Sequence, residues 1–473
     1  MSCFNRDIKK VIKYFFNDRI FPYLSIIIFI TILYYPSFGC HFKTEDFALI
    51  EKVRNNFSFY NSFVTEFFSP QFYRPITRHI FFLISYALFE LNPIGYRIIN
   101  IILFVLNNFL VYEIASILTK RKDIAFIASI FYLTRSAHLI AIYWITVGFQ
   151  DNGVAFWVLC TILLYLQDIN CENKLFYISS IICSIFALLS KEISVILPAL
   201  IFLIEIYTQK SKGHLNFKIL MWRFIPFFVL TLIIYFPRIY ILRPLILDSP
   251  YKMQFSLSVF LKNIAFFVFN SFNNYIEIFL LGTLGLLSFL NSENRKYAFF
   301  SITWFFIGLL PHVFLAEHPR AYYLNISLVG FSIMLSISMK YIYEKIYSMK
   351  YLVTIIVLSA CIISARINIY KSEYVKDFYA YEKFINNLLS ELKHTFPSFP
   401  DNSLIYIKNT HPDLVWCLGY GGVISLNYNN KLAFYFEGVS KKLPDNYTRI
   451  YYFKYDNNSY TLKFIEESQN RKQ

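Results

Sequence analysis

Apolar stretches of about twenty residues recur along this 473-residue chain as far as residue 365, and this constrains the fold more than any motif does. A helix of that length crosses the hydrocarbon of a bilayer, whereas helices of soluble proteins carry charge along one face. Only 16% of the residues are charged, against roughly 25% in soluble domains. The chain therefore reads as an α-helical polytopic membrane protein. Its net charge of +15 fits that class, because Lys and Arg gather at the ends of apolar segments, where they hold loops in the cytoplasm. Nucleic acid is excluded as a partner on the same ground: it would need those cations on one folded face.

The positive charges set a topology. Arg6, Lys9, Lys10, Lys13 and Arg19 precede the first apolar segment, 21–38, which places the amino terminus inside. No small-residue cleavage site follows, so this segment reads as a retained span. Further spans are predicted at 94–118, 123–143, 153–166, 175–189, 193–207, 219–240, 275–290, 297–314, 322–339 and 351–365. That makes about eleven transmembrane helices, with residues 144–151 as an outer turn. Residues 266–272 read equally as a surface helix or part of a span. The protein is expected in the plasma membrane (the inner membrane of a bacterium), surrounded by lipid, with its carboxyl end outside.

After Arg366 the composition changes. Residues 372–392 have the pattern of an amphipathic helix, and β-like runs follow at 404–407, 423–426, 432–436 and 449–455. Asp456-Asn457-Asn458 reads as a turn into 460–465. The expected organisation is a membrane domain, 1–366, and a small extracytoplasmic α/β domain, 367–473. The seven cysteines show no metal-ligand spacing. Cys160, Cys183 and Cys361 read as packing residues; Cys40 and Cys417 share the predicted outer side, where a bond between them is conceivable.

Chemistry concentrates in polar knots on that outer side. The first outer loop, 39–93, holds the adjacent acids Glu45 and Asp46 and ends in Tyr73-Arg74-Pro75, with Arg78 close behind. The acids read either as a base or as the first turn of a surface helix, where carboxylates suit the positive end. Arg74 reads as a forked binder of phosphate oxygens or as a snorkelling cation. Lys191-Glu192, and Glu317, His318 and Arg320 with Tyr322 and Tyr323, form further knots, and His138, Trp144, Gln150 and Asp151 join them. His138 alone reads equally as a hydrogen-bonded helix residue. No HExxH, Walker loop or GxGxxG occurs, which argues against a His-built metal centre and a nucleotide-driven pump.

The order of these features resembles the GT-C superfamily of membrane glycosyltransferases, over roughly residues 21–339. The matching features are the acidic pair, Tyr73-Arg74-Pro75, Leu91-Asn92-Pro93-Ile94-Gly95-Tyr96 with Asn100, and Ser136-Ala137-His138 to Trp144. Gln150-Asp151, Ser190-Lys191-Glu192 and Arg320-Ala321-Tyr322-Tyr323-Leu324 complete the series. Within the superfamily the chain is most similar to bacterial relatives of the protein O-mannosyltransferases and of tetratricopeptide-bearing O-mannosyltransferases. It departs in having Glu-Asp where Asp-Asp or Asp-Glu is commoner, and in carrying 367–473 in place of the tetratricopeptide array.

The resemblance implies a GT-C-like fold and inverting transfer of a sugar from a polyprenyl-phosphate carrier to an extracytoplasmic acceptor: protein, lipid A or glycan. Glu45 or Asp46 would be the catalytic base, and Arg74, helped by Lys191 or Arg320, would hold the donor phosphate. Tyr73, Arg78, His138, Trp144, Gln150, Asp151, Glu192, Glu317, His318, Tyr322 and Tyr323 would line or support the site. A divalent cation, magnesium or manganese, stays open. A polysaccharide polymerase or ligase would place its rich loop late in the chain, and a lipid or solute transporter would show repeat symmetry; neither pattern is evident.

Overall fold

The structure is a computed structural model that describes residues 20–55, 58–60, 63, 73–211, 213, 215–246, 251–287, 289, 292–345, 350–428, 432–440, 442–444, 447–456 and 461–469. In chain order, α1 is Phe21–Tyr34 and α2 is Glu45–Asn55. A π-turn over Pro75–Ile80 leads into α3, Phe81–Phe89. There follow α4 (Pro93–Thr119), α5 (Lys122–Leu133), α6 (Leu139–Tyr143) and α7 (Ile145–Cys171). Next come α8 (Lys174–Leu188), α9 (Leu197–Ser211), α10 (Phe217–Ile246), α11 (Leu257–Asn270) and α12 (Tyr275–Leu287). The next helices are α13 (Ser292–Leu309), α14 (Ser327–Lys345) and α15 (Lys350–Lys371), followed by α16 (Glu373–Thr395).

Local chemistry sets the helix ends. Asn92 accepts the Ile94 N–H at 3.1 Å while Pro93 takes the first helical position, so α4 starts with its orphan donors partly satisfied. Asn173 does the same for α8 through Leu175 N–H at 3.0 Å. Among the described residues, six helices are long and apolar enough to cross a membrane, or eight if two bent pairs each count as one span. About eleven were expected. The difference arises because some segments, such as Lys174–Leu188 and Ser327–Ile342, are short, and others are broken. Segment 153–166 is in fact the middle of α7, so Gln150 and Asp151 lie on a helix and not in an outer turn.

The two bent pairs are α5 with Ser136–Tyr143, at 53°, and α11 with α12, at 96°. Their breaks are joined. Arg135, fully buried, donates to Glu277 at 2.7 Å, and Asn273 donates to the Thr134 carbonyl and accepts the Ser136 N–H. A second buried network crosses α4, α7 and the start of α14. Asn325 donates to the Asp151 carbonyl and to Asn152 Oδ1, Asn152 to Asn100 Oδ1, and Asn100 to the Ala141 carbonyl at 2.8 Å. Gly148 permits this approach, since a Cβ there would lie 2.2 Å from both Asn100 Nδ2 and Ala141 O. Interhelical hydrogen bonds of this kind are worth about 0.6 kcal/mol each in a membrane, so their main effect is to specify register.

Outside this bundle, β1 (Ser403–Lys408), β2 (Ala433–Phe436), β3 (Arg449–Asp456) and β4 (Thr461–Gln469) form one sheet in the order β2-β1-β3-β4. β1 runs parallel to β2 and β3, and β4 is antiparallel. The crossover from β1 to β2 carries α17 (Pro412–Cys417) and α18 (Gly422–Tyr428). Residues 423–426, expected as a strand, are thus helical. The expected turn at Asp456-Asn457-Asn458 falls partly outside the described residues. Phe47, Ile50 and Val53 of α2 share a core with Leu388, Leu414 and Val423, each such burial contributing about 1.5–3 kcal/mol. Ser425 seals the contact, donating to Glu51 at 2.6 Å and accepting from Arg54. α2 therefore packs against α16, α17 and α18.

Candidate active site

The segment 40–46 is held from both flanks. Arg97 of α4, fully buried, donates to the carbonyls of Cys40, His41 and Tyr143, each at 2.8 Å. Asp46, also fully buried, accepts the Lys43 N–H at 2.9 Å, the Thr146 N–H at 2.8 Å and the Thr146 hydroxyl at 2.5 Å. It thereby satisfies the positive start of α7. Burial outweighs those donors and pushes the Asp46 carboxyl up to about 6. Lys43 reaches into a cage of Phe378, Tyr374, Tyr381 and Trp144, its ammonium 4.0–5.9 Å from the ring centres, and burial lowers its pKa.

Two carboxylates beyond the loop are bound to cations. Arg74 donates to Glu192 through Nε at 2.9 Å and Nη2 at 2.6 Å, and through Nη1 to Gln150. Lys191 lies 2.7 Å from both oxygens of Asp151, with the rings of Tyr322 and Tyr323 at 5.2 and 5.4 Å. These pairs cancel one another's charge.

Glu45 and Arg320 remain. Glu45 is half-buried and Arg320 exposed, and neither forms an ion pair or side-chain hydrogen bond among the described residues. The half-buried phenol of Tyr251, raised in pKa chiefly by burial, lies within electrostatic reach of Arg74, Glu45, Glu192 and Arg320. Beside it, His318 packs on Tyr251 at 4.7 Å, and His312 stacks on Tyr323 at 3.9 Å with the rings 7° from parallel. Burial pushes His312 down to about 3 and His318 to about 4, so both are neutral and each presents a buried Nε2 without a partner. Among the described residues, a negative group entering here meets the Arg320 guanidinium and neutral imidazoles, beside the Glu45 carboxylate.

The expected residues divide accordingly. Glu45, Arg74, Gln150, Asp151, Lys191, Glu192, His318, Arg320, Tyr322 and Tyr323 cluster. Trp144 belongs to the adjoining cage, where it meets Trp416 of α17 edge-on at 5.6 Å. Tyr73 and Arg78 are half-buried on either side of Arg74, and Glu317 is exposed. Two expected residues are engaged elsewhere. Asp46 faces the start of α7, where its oxygens accept from Lys43 and Thr146. His138 is 1% exposed between the rings of Phe104 and Tyr132, because the break after α5 turns it into the core. Cys40 and Cys417 are separate thiols.

Tyr251, His312, Tyr374, Lys43 and Arg97 escape motif reading. Only Arg97 carries a signal, a charge inside an apolar run. For a metal ion the fit is poor. Among the described residues no three His, Cys, Asp or Glu side chains converge, and Asp151 and Glu192 are each neutralised by a cation.

The helical framework, with α2 folded against α16, α17 and α18, shares its fold with solved structures that include the oligosaccharyltransferase of Archaeoglobus fulgidus. In the apo form the TM-score is 0.52 at 12% identity, over 88% of this chain and 64% of that one. With zinc and sulfate the TM-score is 0.50 at 12% identity, covering 87% and 62%. Archaeal oligosaccharyltransferase AglB from the same organism, in complex with an inhibitory peptide and a dolichol-phosphate, gives 0.50 at 10% identity, covering 87% and 64%. The chain thus spans less than two thirds of the length of these proteins. No family model matches it, and no curated protein does.

Proposed function

We propose that this protein is an inverting glycosyltransferase that moves a sugar from a polyprenyl-phosphate carrier to an acceptor on the outer side of the membrane. The observation that carries this reading is the charge balance of the cluster. Among the described residues of the cluster, Arg74 pairs with Glu192 and Lys191 with Asp151, while Glu45 is a carboxylate and Arg320 a cation outside those pairs. The GT-C type fold supports it, and so does the neighbour solved with dolichol-phosphate and a peptide, which makes a protein the favoured acceptor.

In the proposed step Glu45 takes the proton of the acceptor nucleophile as that atom bonds to the anomeric carbon. The bond from that carbon to the phosphate oxygen breaks on the opposite face, and its electron pair leaves with the phosphate. Passage through an oxocarbenium-like state calls for a base on one side and positive charge on the other. A phosphate departs as a stable anion, so no acid is needed, and Arg320 balances the charge that develops. Arg74 and Lys191, each held by a carboxylate, shape the site behind it. The Lys and Arg distribution supports placing this face outside.

The test is transfer by purified protein from a radiolabelled polyprenyl-phosphate sugar to a panel of peptide, lipid A and glycan acceptors. Glu45→Gln is expected to abolish transfer and Arg320→Ala to weaken it. Undiminished transfer by Glu45→Gln would remove the proposal, and translocation of the carrier without new glycosidic bonds would replace it with transport.

A further inference from the structure

The carboxyl-terminal domain reaches the residue immediately before Glu45. Thr44 is fully buried and has φ +40°, a left-handed backbone that a β-branched residue adopts only when its surroundings impose it. Its N–H donates to the Tyr381 hydroxyl of α16 at 3.1 Å, and that hydroxyl donates to the Cys417 carbonyl of α17 at 2.6 Å. Gly419, itself at φ +56°, lies so close that a Cβ there would sit 2.7 Å from the Thr44 carbonyl oxygen. Gly422 backs onto Phe47, where a Cβ would come within 3.2 Å of the main chain.

On the other side of Glu45, Asp46 is bound to Lys43 and Thr146. Glu45 thus stands between one residue fixed by the membrane bundle and one fixed by the outer domain. We propose that Tyr381 and the Gly419–Gly422 turn are positioning residues. Through Thr44, the carboxyl-terminal domain holds the backbone from which Glu45 addresses the acceptor. This rests on the reading of Glu45 as the base. Packing alone would not call for a strained Thr44, because α2 already shares its core with the domain through Phe47, Ile50 and Val53.

The experiment compares Tyr381→Phe and Gly419→Ala with Glu45→Gln in full-length protein, measuring kcat, KM for donor and for acceptor, and the thermal midpoint in detergent. Loss of orientation by about an ångström costs up to about a hundredfold in rate. The expected result for Tyr381→Phe is a kcat about ten- to a hundredfold lower per folded molecule, with donor KM unchanged. Thr44→Gly, which tolerates φ +40° without the hydroxyl's help, is expected to restore part of that kcat in the Tyr381→Phe background. Should Gly419→Ala fail to fold, the single-hydroxyl change still decides. Wild-type kcat in Tyr381→Phe, or no rescue by Thr44→Gly, overturns the inference while an inactive Glu45→Gln leaves the base intact. An active Glu45→Gln overturns the base itself.

Discussion

Arg74 closes on Glu192 across 118 residues of sequence, its Nε and Nη2 both reaching the same carboxylate. Lys191, the next residue along, does the same to Asp151. The two pairs differ in depth: the Glu192 side chain is 36% exposed, whereas Lys191 and Asp151 are 7% and 3% exposed. Removing one member of a buried pair costs about 3–5 kcal/mol, and partial exposure screens that loss. Lys191→Met is therefore expected to lower the thermal midpoint more than Arg74→Met, and Asp151→Asn combined with Lys191→Met to recover most of the difference. Equal losses from the two single variants would show that depth does not govern these pairs.

The adjacent acids should separate cleanly. Glu45→Gln is expected to reduce turnover by about a hundredfold or more at unchanged stability, the usual scale for a lost general base. Asp46→Ala should instead destabilise the fold by about 0.5–2 kcal/mol, as loss of a helix cap does. Denaturation and turnover measured on the same preparations check this.

Asp46 also predicts a pH dependence. Its folded pKa, about 6, lies above the ordinary carboxylate value of 3.8, so between those values the folded state holds the proton more tightly. Stability from this group is complete below the unfolded value and lost as pH rises through about 6. Wild type should therefore gain on Asp46→Asn as the pH falls from 7 to 5. A gap between them that stays constant over that window would contradict the assignment.

Arg320→Ala should lower kcat/KM for the donor by about ten- to a hundredfold, the scale of one charged hydrogen bond. Arg320→Lys should restore only part of it, because an ammonium cannot fork onto two phosphate oxygens. Kinetics against donor concentration, at two salt concentrations, measure both effects.

The apolar runs and basic loop ends announce a helical membrane protein, and the composition change after Arg366 announces the part of the chain that carries the sheet. Strands β1, β2 and β3 were legible within about a residue at most ends. Residues 423–426 were not: the Val and Ile that suggest a strand instead bury one face of α18 against α2, a tertiary contact that overrides propensity. Gln150 and Asp151 look like turn residues because they are polar, yet they sit in α7, where Arg74 and Lys191 satisfy them. Motif order brought Glu45, Lys191 and Tyr322 forward. It gave no sign that His312 and Tyr251 would join them, since single aromatic or imidazole residues between spans have no spacing to read.

The bond between Arg135 and Glu277 has a consequence for biogenesis. Its members are 142 residues apart, so the ribosome delivers the guanidinium to the translocon long before the acid that neutralises it exists. A lone arginine at mid-bilayer costs about 2.5–3.5 kcal/mol on insertion scales. If the break after α5 enters the bilayer at that stage, its guanidinium carries that cost until α12 supplies the acid. Assembly of this bundle would then depart from the simple order of translation.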